Sequence, residues 1–389
     1  MPDLLRIFTH NCYLKKDKIS IFENINSCEK SKQAKILDFY KLKINSLSEF
    51  LENSIEAPLF NIEELSNQLR DMEVKDLHYR KIDMLDIYKN ITIKNIKACK
   101  NKLIIIAGDN IIRACNLENL KEIQTKELQQ CGIRSLDIFN NIIAIGNDDS
   151  SIKLLKFSED AKLSKNTLQL KEISIINANS NFQQKSYNYS LRFLPNNKIA
   201  AGRGQNDNYS IKIWDFQTKN CVETLKAHQN TVKCLLIIDE LNIFISGADD
   251  GYLKIWDAIS FNFKENIIGS ERGQIISLIY NKHFRNIAFA TDENKINIFE
   301  VHPFVRQTNF IKVKEKINDI HNVENLNLIA LVSMGFFLNL FDWKKGYRVL
   351  IIPTSRIAYC LYSVSTKEGE AVIYCGEENG KVEKFEIYN

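Results

Sequence analysis

Two adjacent carboxylates, Asp249 and Asp250 in "GADDGYLKIWD" (247–257), are the most chemically suggestive pair in the chain. Carboxylates held together can ligate a metal ion or divide general-acid and general-base work. They can also cap a tight turn between two strands, because Asp side chains accept hydrogen bonds from nearby backbone N–H groups. A metal or acid–base site needs further carboxylates or histidines converging on the pair, and none lie nearby in sequence. The histidines (His10, His78, His228, His283, His302 and His321) are scattered, and none sits near a Cys or Ser in a nucleophile-like arrangement. His10, Cys12 and Cys28 supply only three of the four ligands of a structural zinc site. No HExxH, GxSxG or GxxxxGK[ST] occurs. "GRGQND" (202–207) lacks the third glycine and the following helix of a dinucleotide loop. The sequence therefore assigns no catalytic residue, no metal and no cofactor, and Asp250 reads as a turn residue with Asp249 solvated beside it.

The elements around the pair recur. "NDDSSIKLLKF" (147–157), "ADDGYLKIWD" (248–257), "TDENKINIFE" (291–300) and "EENGKVEKFE" (377–386) each place a polar turn between an apolar strand and an alternating one. "NYSIKIWDF" (208–216) and "FFLNLFDW" (336–343) are further copies, and "DNIIRACNL" (109–117) is the weakest. Aligned on the end of the alternating strand, the register positions are Cys115, Leu155, Trp214, Trp256, Phe299, Phe341 and Phe385. Their intervals are 40, 59, 42, 43, 42 and 44 residues, and the long one holds a polar insertion at 158–186. A period of about 40–45 residues with four strand-length runs is that of a propeller blade. In the fourth copy the runs are 231–238, 242–248, 252–258 and 262–268.

With "IKIWD" at 211–215 and "LKIWD" at 253–257, residues 77–389 resemble the WD-repeat β-propellers. The resemblance implies a mainly β, seven-bladed propeller. It also implies a hydrogen-bonded structural tetrad inside a blade, and only the fourth copy matches it in full: His228, Ser246, Asp250 and Trp256. The seventh copy ends at Asn389 without its outer strand, which propellers of this family borrow from the segment before the first blade, so 77–85 is expected to close the ring.

Residues 1–76 change period. Leu37, Tyr40, Ile44, Leu47 and Leu51, and then Ile62, Leu65, Leu69 and Met72, form helical stripes on either side of Pro58. They read either as a short coiled-coil arm for self-association or as helices packed on the propeller or on one another. The start lacks a secretory signal and the longest nearly apolar run, 328–341, is short for a membrane span. Nine cysteines without CxxC or regular spacing suggest reduced thiols in the cytoplasm. Cys115, Cys234, Cys360 and Cys375 fall within expected strands as small apolar residues. Asn is abundant (42 against 14 Gly), and "FNNIIA" and "LPNNKIA" use it where a turn could use glycine. A net charge of +4 without a basic block points to neither nucleic acid nor membrane.

Arg134, Arg203, Arg272 and Arg356 fall at or near loops expected on one face of the disc, with Tyr187 as a stacking neighbour. They are either a site for an acidic or phosphorylated peptide or solvated charges spread over different radii. The functional expectation is a non-enzymatic scaffold that binds other proteins through this face. The alternative is a substrate-recruiting subunit of a ubiquitin ligase, although no F-box or RING is recognisable.

Overall fold

The computed structural model describes residues 77–388 except 87–90, 100–102, 108–109, 118–121, 129–131, 160–167, 177–186, 269–272, 302–305 and 368. The chain divides into two compact units, Met1–Glu73 and Val74–Asn389. The helical stripes, the self-association segment, the His10–Cys12–Cys28 triplet and Arg272 lie outside the described residues.

Among the described residues, 28 strands form seven four-stranded antiparallel sheets. Strand β1 (His78–Asp86) precedes the first sheet, which contains β2 (Asn95–Cys99), β3 (Leu103–Ala107), β4 (Ile111–Asn116) and β5 (Glu122–Glu127). The second holds β6 (Ile133–Phe139), β7 (Ile142–Asn147), β8 (Ile152–Glu159) and β9 (Leu168–Ile176), and the third β10 (Ser190–Leu194), β11 (Lys198–Gly202), β12 (Ile211–Asp215) and β13 (Cys221–Leu225). In the fourth are β14 (Val232–Ile238), β15 (Ile243–Ala248), β16 (Tyr252–Asp257) and β17 (Phe263–Ile268). Strands β18 (Ile275–Asn281), β19 (Asn286–Thr291), β20 (Lys295–Glu300) and β21 (Arg306–Lys312) make the fifth. The sixth follows with β22 (Ile317–Val323), β23 (Leu328–Ser333), β24 (Phe337–Asp342) and β25 (Arg348–Pro353).

The last sheet takes β26 (Ala358–Ser365), β27 (Glu370–Glu377) and β28 (Lys381–Tyr388) from the end of the chain and β1 from before the first sheet. The β1–β28 pairing runs from His78↔Tyr388 to Asp86↔Lys381. The first strands adjoin in order around the unit, and β26 adjoins β2, so the ring of sheets is closed. This is a seven-bladed propeller.

The sheets stack because their strands are apolar on both faces. All six residues of β15 and all six of β23 are buried. Between the fourth and fifth blades, Ile245, Leu253 and Ile255 pack with Ile275, Leu278, Ile287 and Phe289. Close approach there needs a glycine: a Cβ on Gly247 would lie 2.6 Å from Cys234 Sγ and 2.8 Å from Ile275 Cγ2. Asparagine takes the left-handed turn positions, with positive φ at Asn140, Asn196, Asn197, Asn208, Asn242, Asn294 and Asn327. One element departs from the sequence reading. The polar insertion at 158–186 contains β9, the outer strand of the second blade, because an outer strand with one solvated face carries little apolar signal.

Candidate functional site

The pair of carboxylates that raised the question sits on the turn between β15 and β16. Asp250 accepts hydrogen bonds from the backbone N–H of Gln229 (2.8 Å) and of Tyr252 (3.1 Å), and its carboxylate lies 3.0 Å from His228 Nδ1. His228 Nε2 is 2.8 Å from Ser246 Oγ, and the Trp256 indole N–H donates to the same oxygen at 2.9 Å. With Nδ1 turned to the carboxylate and the indole donating to Ser246, the serine hydroxyl donates to Nε2. Burial pushes the Asp250 carboxyl up, but His228 and the two backbone donors outweigh it and hold it below the ordinary value. Asp249 differs. Burial raises it despite Lys233, whose Nζ is 3.4 Å away. Among the described residues no group of three or more His, Cys, Asp or Glu side chains is arranged to hold a metal.

The third blade departs from this pattern. Its Trp214 is in register with Trp256, but Ala201 stands where the fourth blade has Ser246, and the buried Trp214 Nε1 has no partner. The turn is rebuilt around Arg203, which is fully buried. Its Nε donates to Asp207 at 2.7 Å, and its Nη1 donates to Asn188 Oδ1 and to the Ser150 carbonyl. Lys212 completes the cluster, 2.8 Å from Asp207. Arg203 is thus a correction to the surface assignment. A turn arginine defaults to solvent, but Asp207 four residues on supplies the charge that lets it be buried.

The remaining candidates separate. Arg134 and Tyr187 come together, with the guanidinium 4.6 Å from the ring centroid, and Tyr187 packs edge-on to Tyr189 at 5.6 Å. Lys233 Nζ lies 5.2 Å from the Tyr189 ring, so four residues from one loop and two strands form one cation–aromatic cluster. Arg356 is exposed on the loop between β25 and β26. Its backbone N–H donates to Glu377 at 3.0 Å, and no contact joins its side chain to the cluster.

The cluster belongs to a larger arrangement. In five blades the pairing of the first strand slips at one place: between Ile133 and Ser135, Val232 and Cys234, Ile275 and Ser277, Ile317 and Asp319, and Ala358 and Cys360. A bulge re-aims its extra side chain. Here those side chains are Arg134, Lys233, Ile276, Asn318 and Tyr359, and all line a central cavity of about 550 Å³ together with Lys94 and Tyr189. Three residues further along their strands come Lys97, Asp137, Arg192 and His321. The strand rise sets this second level about 10 Å deeper.

The acidic groups at this depth serve the frame. Asp137 accepts the Phe193 N–H of the next blade at 2.9 Å, and Asp319 accepts that of Leu361 at 3.0 Å and the Ser277 hydroxyl at 2.8 Å. The positive groups crowd one another. Burial first, then Arg192, brings the Lys97 amine down to about 8. Burial and Lys97 bring His321 down to about 3, so its ring is neutral. The Cys234 thiol is pushed up to about 12 by burial and stays protonated. Sequence reasoning missed Lys97, Arg192 and Asp319. The only signal of Lys97 and Arg192 is a shared offset from the repeat register, and Asp319 directly follows the bulge at Asn318.

A second cluster marks the ring closure. Lys81 on β1 reaches the buried Glu383, which also accepts from Ser355. Glu377 lies close by, and burial followed by the Glu383 charge holds its carboxyl up at about 7.

Seven four-stranded blades joined in a closed ring define a β-propeller. The family pattern "WD domain, G-beta repeat" matches residues 219–257, a stretch that contains all of His228, Ser246, Asp250 and Trp256. A probable coatomer subunit beta' of Schizosaccharomyces pombe is 42% identical over 64 residues, 16% of this chain and 8% of that protein. A p21-activated protein kinase-interacting protein 1-like of Danio rerio is 34% identical over 68 residues, 17% of this chain and 18% of that protein. Human apoptotic protease-activating factor 1 is 24% identical over 180 residues, 46% of this chain and 13% of that protein. Residues 219–257 are thus similar to the WD-repeat family, and the seven four-stranded sheets are the fold expected of a WD-repeat propeller. It spans less than a fifth of the length of these three curated relatives. No helix among the described residues is long and apolar enough to cross a membrane.

Proposed function

We propose that this chain is a non-enzymatic interaction scaffold that binds an acidic or phosphorylated segment of a partner protein at the mouth of the central channel. The observation that carries the reading is the Arg134–Tyr187–Tyr189–Lys233 cluster. Arg134 is exposed, its guanidinium lies against an aromatic face, and it has no carboxylate partner among the described residues. A guanidinium held in that way is pre-oriented for a carboxylate or phosphate, which reduces the ordering cost of binding. The ring fixes loops from distant parts of the chain in one place, so a flexible segment meets a preformed surface. The tetrad does set the Ser246 hydroxyl against His228, but Ser246 is fully buried and its oxygen also accepts the Trp256 indole N–H, and burial raises both channel thiols, Cys234 and Cys360, so that they stay protonated. The matching relatives include one named as a kinase-interacting protein, in keeping with a binding role.

The test is fluorescence polarisation of the full chain against acidic, phosphoserine and basic peptide pools. Acidic or phosphorylated pools are expected to bind, with at least a tenfold loss in Arg134→Glu/Lys233→Glu at an unchanged melting temperature. Equal binding by basic pools, or binding untouched by the charge reversal, would overturn the reading.

A further inference from the structure

Five cations line the channel, Lys94, Arg134 and Lys233 at one level and Lys97 and Arg192 about 10 Å further in, against one lining carboxylate, Asp319. Such a ring of like charge opposes folding unless something offsets it. Part of the offset is internal. Arg192 lies 3.8 Å from Asp137 and Lys233 lies 3.4 Å from Asp249. The deepest cation is not offset in that way. Lys97 makes no hydrogen bond or ion pair within the described residues, and its ammonium lies 6.0 Å from the Tyr362 ring. The side chain is enclosed by the ring yet reached by water along the bore. The nearby carboxylates are committed to backbone and hydroxyl donors of neighbouring blades and do not turn to it.

We propose that the channel is a binding site for a small, multiply charged phosphate ester or polyphosphate, held between the mouth cations and the Lys97–Arg192 pair. The cavity, about 550 Å³, falls in the range of roughly 300–1,000 Å³ typical of small-molecule sites. Its wall is unlike that of an apolar ligand site, since both levels are cationic. Two levels about 10 Å apart favour a compact ligand with separated anionic groups over a single carboxylate. Arg192 supplies the planar donor fork that matches phosphate oxygens, and Lys97 a point charge at the far end. Crowding of the positive groups agrees with this. The Lys97 amine sits at about 8 and the His321 ring is neutral, as expected where positive potential awaits a counter-charge. The site shares two mouth cations with the peptide face but does not rest on that reading, because its deep pair lies beyond the mouth cluster.

The experiment is isothermal titration of the full chain with inorganic tripolyphosphate and myo-inositol hexakisphosphate at about 0.15 M salt, with a phosphoserine peptide as a separate arm. Saturable one-to-one binding of a free polyphosphate is expected. Lys97→Met or Arg192→Met should weaken it at least tenfold, and the outer-strand control Lys264→Glu should leave it unchanged. A second measurement needs no variant. Acetylation of Lys97 at pH 8, mapped by mass spectrometry, should slow at least fivefold when the polyphosphate is present. No saturable binding up to 1 mM, or binding that neither protects Lys97 nor responds to the deep substitutions, would overturn the proposal. Binding by the phosphopeptide alone would also overturn it while leaving the proposed partner face intact.

Discussion

Ser246→Ala isolates the energetic role of the fourth-blade hydrogen-bond chain. Two buried hydrogen bonds end on Ser246 Oγ, one from the Trp256 indole at 2.9 Å and one shared with His228 Nε2 at 2.8 Å. Stranding a buried polar group costs about 1–3 kcal/mol, so losing partners for both sums to roughly 2–6 kcal/mol of stability. The third blade supplies the mirror experiment. Ala201 occupies the matching position and the Trp214 N–H is buried without an acceptor, so Ala201→Ser should stabilise by about 1 kcal/mol. Urea unfolding monitored by tryptophan fluorescence reads both changes, and the denaturant slope should stay constant. The reasoning fails if Ser246→Ala lies within about 0.5 kcal/mol of the natural chain, or if the two substitutions shift the midpoint in the same direction.

Further outcomes follow from the charged clusters. Glu377 has a folded-state value near 7, above that of an unfolded glutamate. Its favourable contribution is therefore full below about 4.5 and is lost as pH rises through 7, so stability should fall between pH 5 and 8 and flatten in Glu377→Gln, as read by thermal denaturation. The other charged groups facing it are Glu383 and Lys81. Above pH 8 the sign reverses, because Lys97 is lowered to about 8 and the folded state gains on an unfolded lysine until about 10.5. Lys81→Met removes the cation paired with buried Glu383; since Lys81 is 40% exposed and Ser355 remains a donor, a loss of about 1–2 kcal/mol is expected, growing with pH. Arg203→Met should cost about 3 kcal/mol, at the low end for breaking a buried pair because Lys212 still holds Asp207, with no direct loss of peptide binding.

The repeat was legible because a blade buries both faces of its central strands, which writes period-2 apolar runs at near-constant spacing. Trp214, Trp256, Phe299, Phe341 and Phe385 occupy the same place in successive third strands. Outer strands were harder. β9 and β13 carry mostly exposed residues, so their pattern is set by pairing rather than by burial. Site residues were legible where the repeat register or a turn fixes them, as in the turn around Asp250 and in the pairing of Arg134 with Tyr187. Arg203 misled because exposure is a tertiary property, and its partner Asn188 comes from a loop before the blade. The channel lysine and arginine were silent. Each is the one charged residue of its strand, and its meaning appears only when seven strands are placed side by side.

Closure by β1 also sets a timetable. On the ribosome, the strand that must complete the final sheet emerges 295 residues before its partner begins at Lys381. At roughly 5–20 residues per second, that edge waits about 15–60 s, unpaired, while six blades assemble behind it. Its Lys81 and Arg80 place charge on a strand that would otherwise invite foreign pairing during the delay. Slowed translation late in the message, or loss of the last eight residues, should therefore expose the nascent protein to chaperones and proteases more than the same lesion in any single internal blade.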